Sequence, residues 1–497
     1  MDNSNPLNSV FSSPSRRTIL KAALVLPALS LLPATPTVLA AGDPKKTAAG
    51  GGEVPDMTRK LMQFVVNTKN DDIPAEYYEH VKVIILDTIG VALAGRNEPL
   101  VQKLMTYTDA QGGNKQCNVW GYDVKKSASQ AALINGSTCH ALDFDDSSVL
   151  FWGHPSASML PSLFALGELE KANGRDLIAS YVLGLKVGYV VSDSVGEEMY
   201  KGGFHCTSSL GIIASAASCT RLLGLNEEQS LNAFATATTQ AFGLKRSFGT
   251  MCKPFHAGRA AEGAVVAALL GRDGFTGAHD ILEGPNGLFQ AFGGQADSYS
   301  MGTLGRTWAV DTVVQKFYAA CQWTHSPIAG SLEIKEKYGV KAKDIKSIDV
   351  ITSEIAKTSA GLVIPKSGLE GKFSIPYCVA NALVTGEYGL KGYTDEAVKN
   401  PKVLELLKKT SVVSHPKAEK TQARVTITTK DGKKYVKDFD VFASYPTLEE
   451  KKAPATEKFF DNAAPVVGEK KAKQIKKMVD GFEKVKDVTE LTDLLRA

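Results

Sequence analysis

The sequence predicts a mainly α protein: a large all-helical domain with a second, smaller α+β domain. Three observations carry this expectation. The chain has 497 residues, more than one ordinary core organises. From about Met57 to Arg306, apolar residues recur at helical spacing with no alternating run. After about Cys321, segments appear in which apolar and polar residues alternate, as in half-buried strands. A composition of 43% hydrophobic and 22% charged residues fits a globular protein.

The chain opens with a leader. "SRRTILK" holds Arg16 and Arg17, an apolar run follows from Ile19 to Leu32, and Val38 and Ala40 are small residues suited to a cleavage site. The run is short and interrupted by Pro27, so it does not read as a mature membrane span. Residues 1–40 are read as a twin-arginine-type signal peptide and 41–56 as a flexible linker. The mature protein is expected in the periplasm, soluble and without a membrane anchor.

The helical domain is assigned to 57–320. "PAEYYEHVKVIILDTIGVALAG" has Pro74 at its start and Gly95 at its end. "SASQAALINGSTCHALDFDD" is rich in small residues suited to close helix packing. "MLPSLFALGELEKANG" puts Leu160, Leu163, Phe164 and Gly167 on one face and stops at Gly174. "GRDLIASYVLGLKVGYVVSDSVG", "EEQSLNAFATATTQAFG" and "GRAAEGAVVAALLGRDG" continue the pattern. The α+β domain is assigned to 321–450. "IKSIDVITSE" alternates, and "ARVTITTKDGKKYVKDFDV" reads as a hairpin turning at Asp431-Gly432. "IPYCVANALVTGEYG" and "DEAVKNPKVLELLKKTS" between them read as helical. The tail, 451–497, is helical again and returns to the first domain. Its lysines are read as a solvated face needing no partner.

A net charge of +4 without a basic run interleaved with aromatics argues against nucleic acid. Seven cysteines without C-x-x-C spacing give no zinc or iron–sulfur framework, and they are read mostly as reduced, buried thiols. Phosphate loops, dinucleotide fingerprints, nucleophile elbows and H-E-x-x-H are missing.

Four segments place imidazoles or cations at glycine- or proline-marked helix starts: "HALDFDDSSVLFWGHPSASMLPSLFALGE", "KGGFHCTSS", "FGTMCKPFHAGRAAEGA" and "KFYAACQWTHSPIAGS". In the first, His140 and Asp143 lie three apart, so they can share a helix face. Asp145 and Asp146 suit a cap or turn, and His154 precedes a helix N-terminus that attracts anions. Three readings stay open for this stretch: a metal site, an acid–base or anion site, and a polar loop. The others contribute His205; Lys253, His256 and Arg259; and His325. Cations and helix termini of this kind neutralise a carboxylate substrate, while imidazoles move protons.

Taken in this order, the four segments resemble the MmgE/PrpD family, over roughly 57–490. The resemblance implies a large helical domain with a smaller α+β lid domain, a site between them, a homodimer, and a small-molecule carboxylate substrate. It implies neither metal nor cofactor. It gives Asp143, His154, His205, Lys253 and His325 catalytic roles, with Ser147, His256, Arg259 and Tyr377 (in "FSIPYCVA") on the substrate side. Ser147 stands where the family often has threonine, and the run from Ser147 to His154 is about one residue longer than in the decarboxylase branch.

The function so implied is a cofactor-independent lyase, a dehydratase or decarboxylase, acting on a small di- or tricarboxylate through a carbanion alpha to a carboxylate. Lys253 is read as the anion clamp, and His154 or His325 as the proton shuttle. The alternatives are an isomerase using the same proton abstraction and a non-catalytic periplasmic carboxylate binder. The export signal departs from the best-known members, which work in the cytosol or mitochondrial matrix, and so leaves the substrate open.

Overall fold

The computed structural model describes residues 56–295, 299–444 and 447–497. The signal peptide and all of the linker but Asp56 lie outside the described residues. The helices that position the site are α1 (Ala75–Gly95), α2 (Ala128–Ala141), α3 (Ser156–Glu170), α4 (Gly174–Lys201), α5 (Cys206–Leu222) and α6 (Cys252–Arg272). They are followed by α7 (His325–Tyr338), α8 (Ile375–Thr385) and α9 (Leu448–Val467). A mainly α fold is what the sequence predicts.

Local chemistry sets the ends. Pro74 stands at the N-cap of α1. Asn173 caps α4 by accepting from the Asp176 amide, and Thr447 forms a capping box with Glu450 at α9. Helix α4 is long and apolar enough to cross a membrane, but 89% of its apolar window is buried within the protein, as in a core helix.

Helices α2 and α6 pack unusually closely. A β-carbon at Gly258 would lie 2.2 Å from the Leu133 carbonyl oxygen, and one at Gly136 would lie 2.9 Å from Gly258 Cα. The small residues of α2 therefore let two backbones nearly touch, which brings the end of α2 beside the start of α6.

The main sheet holds β1 (Ile345–Thr352), β2 (Thr410–Ser414), β3 (Gln422–Thr429) and β4 (Lys434–Asp440), in the order β2-β1-β3-β4. The hairpin β3–β4 pairs Thr428 with Lys434, and Gly432 in its turn has φ +87°. Strand β2 runs parallel to β1, a pairing the sequence reading did not include. A two-residue pair, Cys117–Asn118 with Lys125–Lys126, also corrects the expectation of no strand in the helical region. "DEAVKNPKVLELLKKTS" is not one helix. Pro401 begins a fresh helix, capped by Asn400, which accepts from the Lys402 amide.

The described residues form one compact unit. Within it, buried apolar side chains fall mainly into two clusters. One unites the helices before residue 314 with Phe459, Ala463, Ile475 and Phe482 of the C-terminal helices. The other joins the sheet region to Val91, Leu142 and Phe144. The loop after α2 thus buries Leu142 and Phe144 in the second cluster while its helix belongs to the first. Six of the seven cysteines are buried, and Cys252 is exposed.

Candidate active site

The site is built around the loop Leu142–Asp146. Asp143 has φ +51°, a left-handed conformation that aspartate tolerates better than most residues. The loop is buried, so its backbone carbonyls need partners. Three lysines supply them in succession. Lys372 donates to the Leu142 carbonyl, Lys316 to that of Asp143 at 2.8 Å, and Lys458 of α9 to that of Phe144 at 2.6 Å.

Asp143 is also the centre of charge. Its Oδ1 accepts from Lys253 at 2.9 Å and from Lys316 at 2.7 Å. Burial opposes ionisation, but the two ammonium groups outweigh it and hold the carboxyl well below the usual range. Asp145 accepts from His140 Nδ1 at 2.9 Å, and this imidazole with His154 likewise keeps it ionised against burial. Asp146 goes the other way. Burial raises it to about 8, eased by a hydrogen bond from Ser156 and strengthened by Asp145.

His154 Nδ1 lies 2.7 Å from the Asp146 carbonyl oxygen. A carbonyl only accepts, so Nδ1 carries the proton and Nε2 keeps a lone pair, 3.8 Å from Asp143 Oδ1. Burial first and then Lys316 hold His154 neutral. His140 stacks between His154 and His205, at ring-centroid distances of 4.6 and 5.6 Å. His205 Nδ1 in turn meets His256 Nδ1 at 3.2 Å. Burial, with Lys253 adding to it, holds His205 far below its ordinary value, and burial with His140 takes His256 to about 4.

A tight cavity of about 50 Å³ opens beside this cluster. Ser147, His154, His205 and Lys253 of the expected site line it. Asp143 stands directly behind Lys253, and His256 behind His205. Three expected residues are elsewhere. Arg259 is partly exposed and pairs with Glu262, because it lies six residues beyond Lys253 on α6 and turns to another face. The Tyr377 hydroxyl donates to the Gly392 carbonyl at 2.6 Å within the second core. His325 is fully buried, with Nε2 on the Ala320 carbonyl at 3.2 Å and its ring against Tyr318. Burial and Lys316 take His325 to about 3. None of the three lines the cavity.

The sequence reading missed Lys316, Lys372, Lys458 and Gln322. Gln322 lines the cavity and accepts from the Ser147 hydroxyl at 2.8 Å. Lys458, with Lys451, also corrects the reading of the tail lysines as solvated: both are buried, and Lys458 pairs with Asp87 at 2.8 Å. The visible signal for Lys316 was a lysine inside the apolar run "VVQKFYAAC".

His140, Asp143, Asp145 and His154 offer donor atoms within 4.8 Å of one another, as metal ligands do. Each of the four residues is bonded within the site, although His140 Nε2 and Asp143 Oδ2 have no hydrogen-bond partner among the described residues. Asp143 Oδ1 holds two ammonium groups, His140 Nδ1 serves Asp145, and His154 Nδ1 serves the Asp146 carbonyl. The four side chains thus form one hydrogen-bonded cluster of two carboxylates and two imidazoles.

Comparison with known proteins agrees over most of the chain. A model of the MmgE/PrpD N-terminal domain matches residues 59–299, and one of the MmgE/PrpD C-terminal domain matches residues 318–484. The chain belongs to the MmgE/PrpD family. This MmgE/PrpD chain is 26% identical over 484 residues to a cis-aconitate decarboxylase of Aspergillus terreus, covering 90% of this chain and 98% of that protein. It is 27% identical over 438 residues to the cis-aconitate decarboxylase of Mus musculus, covering 84% and 88%. It is 23% identical over 388 residues to the 2-methylcitrate dehydratase of Escherichia coli, covering 73% and 79%.

Proposed function

We propose that this MmgE/PrpD protein is a cofactor-independent lyase that acts on a small di- or tricarboxylate through a carbanion alpha to a carboxylate. Relatives named as decarboxylases and dehydratases support the class. The observation that carries it is His154: a neutral imidazole, its tautomer fixed by the Asp146 carbonyl, with Nε2 free beside the cavity and next to the Lys253–Asp143 pair.

In dehydration, Nε2 of His154 takes the alpha proton. The electron pair left on carbon is delocalised into the carboxylate, and Lys253 stabilises that charge in a dry site. The pair then expels the beta hydroxyl, which departs as water by taking back from His154 the proton it removed. In decarboxylation the C–C bond breaks, carbon dioxide leaves, and the carbanion takes its proton from protonated His154. A bound polyanion raises the imidazole's proton affinity, which the empty site suppresses.

A second reading, isomerisation, is favoured by one observation: two imidazoles, His154 and His205, line the same cavity, so one face can lose a proton and the other regain it. Proton NMR of the mature protein in deuterated water with a carboxylate panel separates these readings. Exchange with a new unsaturated product is expected. Exchange with inverted configuration assigns isomerisation, and binding without exchange refutes both. The proposal extends to a homodimer with a lid formed by 321–450, and to a periplasmic setting reached through the Arg16-Arg17 leader. Gel filtration and cell fractionation test assembly and location.

A further inference from the structure

We infer that the substrate is a dicarboxylate bearing an apolar alkyl or aryl arm, where a tricarboxylate would bear a third carboxylate. This narrows the lyase reading above and rests on the same cavity. Much of the lining is aromatic: Trp152, Tyr200, Phe248, Trp323, Phe373 and Phe442 all contribute to it. Against them the cavity lining offers one ammonium group, that of Lys253, and no arginine. Lys253 is already paired with Asp143, and its Nζ stands 5.3 and 5.5 Å from the Phe248 and Phe373 ring centroids.

The charge balance points the same way. Behind the lining, Lys316 shares Asp143 with Lys253, and Lys372 is spent on the Leu142 carbonyl. Three ammonium groups against the carboxylates of Asp143 and Asp145 leave at most one excess positive charge. Without a bound anion the imidazoles are held neutral and add none. Further lysines near the rim are engaged. Lys245 lies 3.7 Å over the Tyr200 ring and donates to the Tyr200 carbonyl, while Lys420 lies 3.7 Å over the Trp152 ring and near Glu197. Neither lines the cavity. A third carboxylate set against the rings would lose its water with no cation to replace it; the neutral hydroxyl and amide side chains of the lining, Tyr200 apart, are Ser147, Ser148, Thr207 and Gln322, and Ser147 is engaged with Gln322.

The aromatic wall is also held in place at a conformational cost. Trp152 has φ +56°, where a bulky residue is an outlier. Its indole fits because residue 196 is glycine: a β-carbon there would lie 2.9 Å from Trp152 Cδ1. Trp152 falls in the Ser147–His154 run, between two residues that line the same cavity.

The test uses two matched succinates that differ only in the arm, 2-benzylsuccinate and propane-1,2,3-tricarboxylate, titrated calorimetrically into the purified mature protein. Benzylsuccinate is expected to bind on the order of tenfold tighter or more, the value of a buried aromatic group. Phe442→Arg, with its fold checked by circular dichroism, is expected to invert that order. Tricarboxylate binding as tight or tighter in the wild type overturns the inference, as does binding of neither probe. Solvent exchange on the carboxylate panel is scored separately. Exchange with a tricarboxylate preferred leaves the lyase reading standing and sinks only this one, whereas tight benzylsuccinate binding with no exchange on any compound does the reverse.

Discussion

Replacing Asp143 with Asn is the sharpest probe of the site, because it changes charge and almost nothing else. Asparagine has the same shape and tolerates φ +51°, so the turn keeps its backbone. What is lost is the counter-charge of two lysines. Asp143, Lys253 and Lys316 are 3%, 5% and 0% exposed, so solvent does little to screen them. Removing one partner of a buried pair costs about 3–5 kcal/mol, because the other charge stays buried. We expect Asp143→Asn to lose that much in urea denaturation at pH 7, together with most turnover. The pH dependence fixes the cause. The folded carboxyl titrates below its unfolded value of about 3.9, so its stabilisation is complete above that pH and is lost as pH falls through the depressed folded value. The gap between wild type and variant must therefore narrow only in strong acid. Adding Lys316→Met removes one of the stranded charges, so the double variant should be less destabilised than the sum of the singles by ~0.5–3 kcal/mol. Equal stability at pH 7, or strict additivity, would refute the account of Asp143 as the shared counter-ion.

Other substitutions separate chemistry from scaffold. His154→Gln is expected to lower turnover by about 10²–10⁴-fold, read from steady-state rates and solvent exchange, if its Nε2 moves the proton. Arg259→Ala is expected to leave turnover unchanged and stability within about 0.5 kcal/mol, since it breaks only a partly exposed pair with Glu262; a large loss of activity would return Arg259 to the site. Asp146, raised to about 8, contributes stability that is full below about pH 3.9 and is lost as pH rises through about 8. Asp146→Asn should lack that decline in denaturant midpoint between about pH 4 and 8, and a decline as steep as the wild type's would show that another group causes it. Lys458→Met should cost about 3–5 kcal/mol by stranding Asp87 and the Phe144 carbonyl, measured by urea denaturation.

What was legible in the sequence follows from what each residue bonds to. His154, His205 and Lys253 stood out because each sits at a glycine- or proline-marked helix start, where local sequence fixes position. Lys316, Lys372 and Lys458 bond to backbone carbonyls of a loop far away in the chain, and a carbonyl leaves no mark on its own sequence. Lys458 was hidden further by lying in a lysine-rich tail whose other members, Lys451 apart, suit solvent. Some placements were readable from helix geometry. On α6, His256 lies three residues from Lys253 and shares its side, whereas Arg259 at six residues turns about 120° away, by the 3.6-residue period alone.

The alternation in "LDFDD" was equally readable. Leu142 and Phe144 enter the second core, which leaves Asp143 and Asp145 to the polar side. That alternation gives the loop its role. A helix packed against α6 by glycines holds one end, two apolar anchors fix the middle in the other core, and lysines from three separate segments hold successive carbonyls. A loop bound at so many points cannot adapt to its ligand by moving. On the specificity proposed above, discrimination between substrates falls to the aromatic side chains of the cavity lining and to the segment from Ser147 to His154 that carries Trp152.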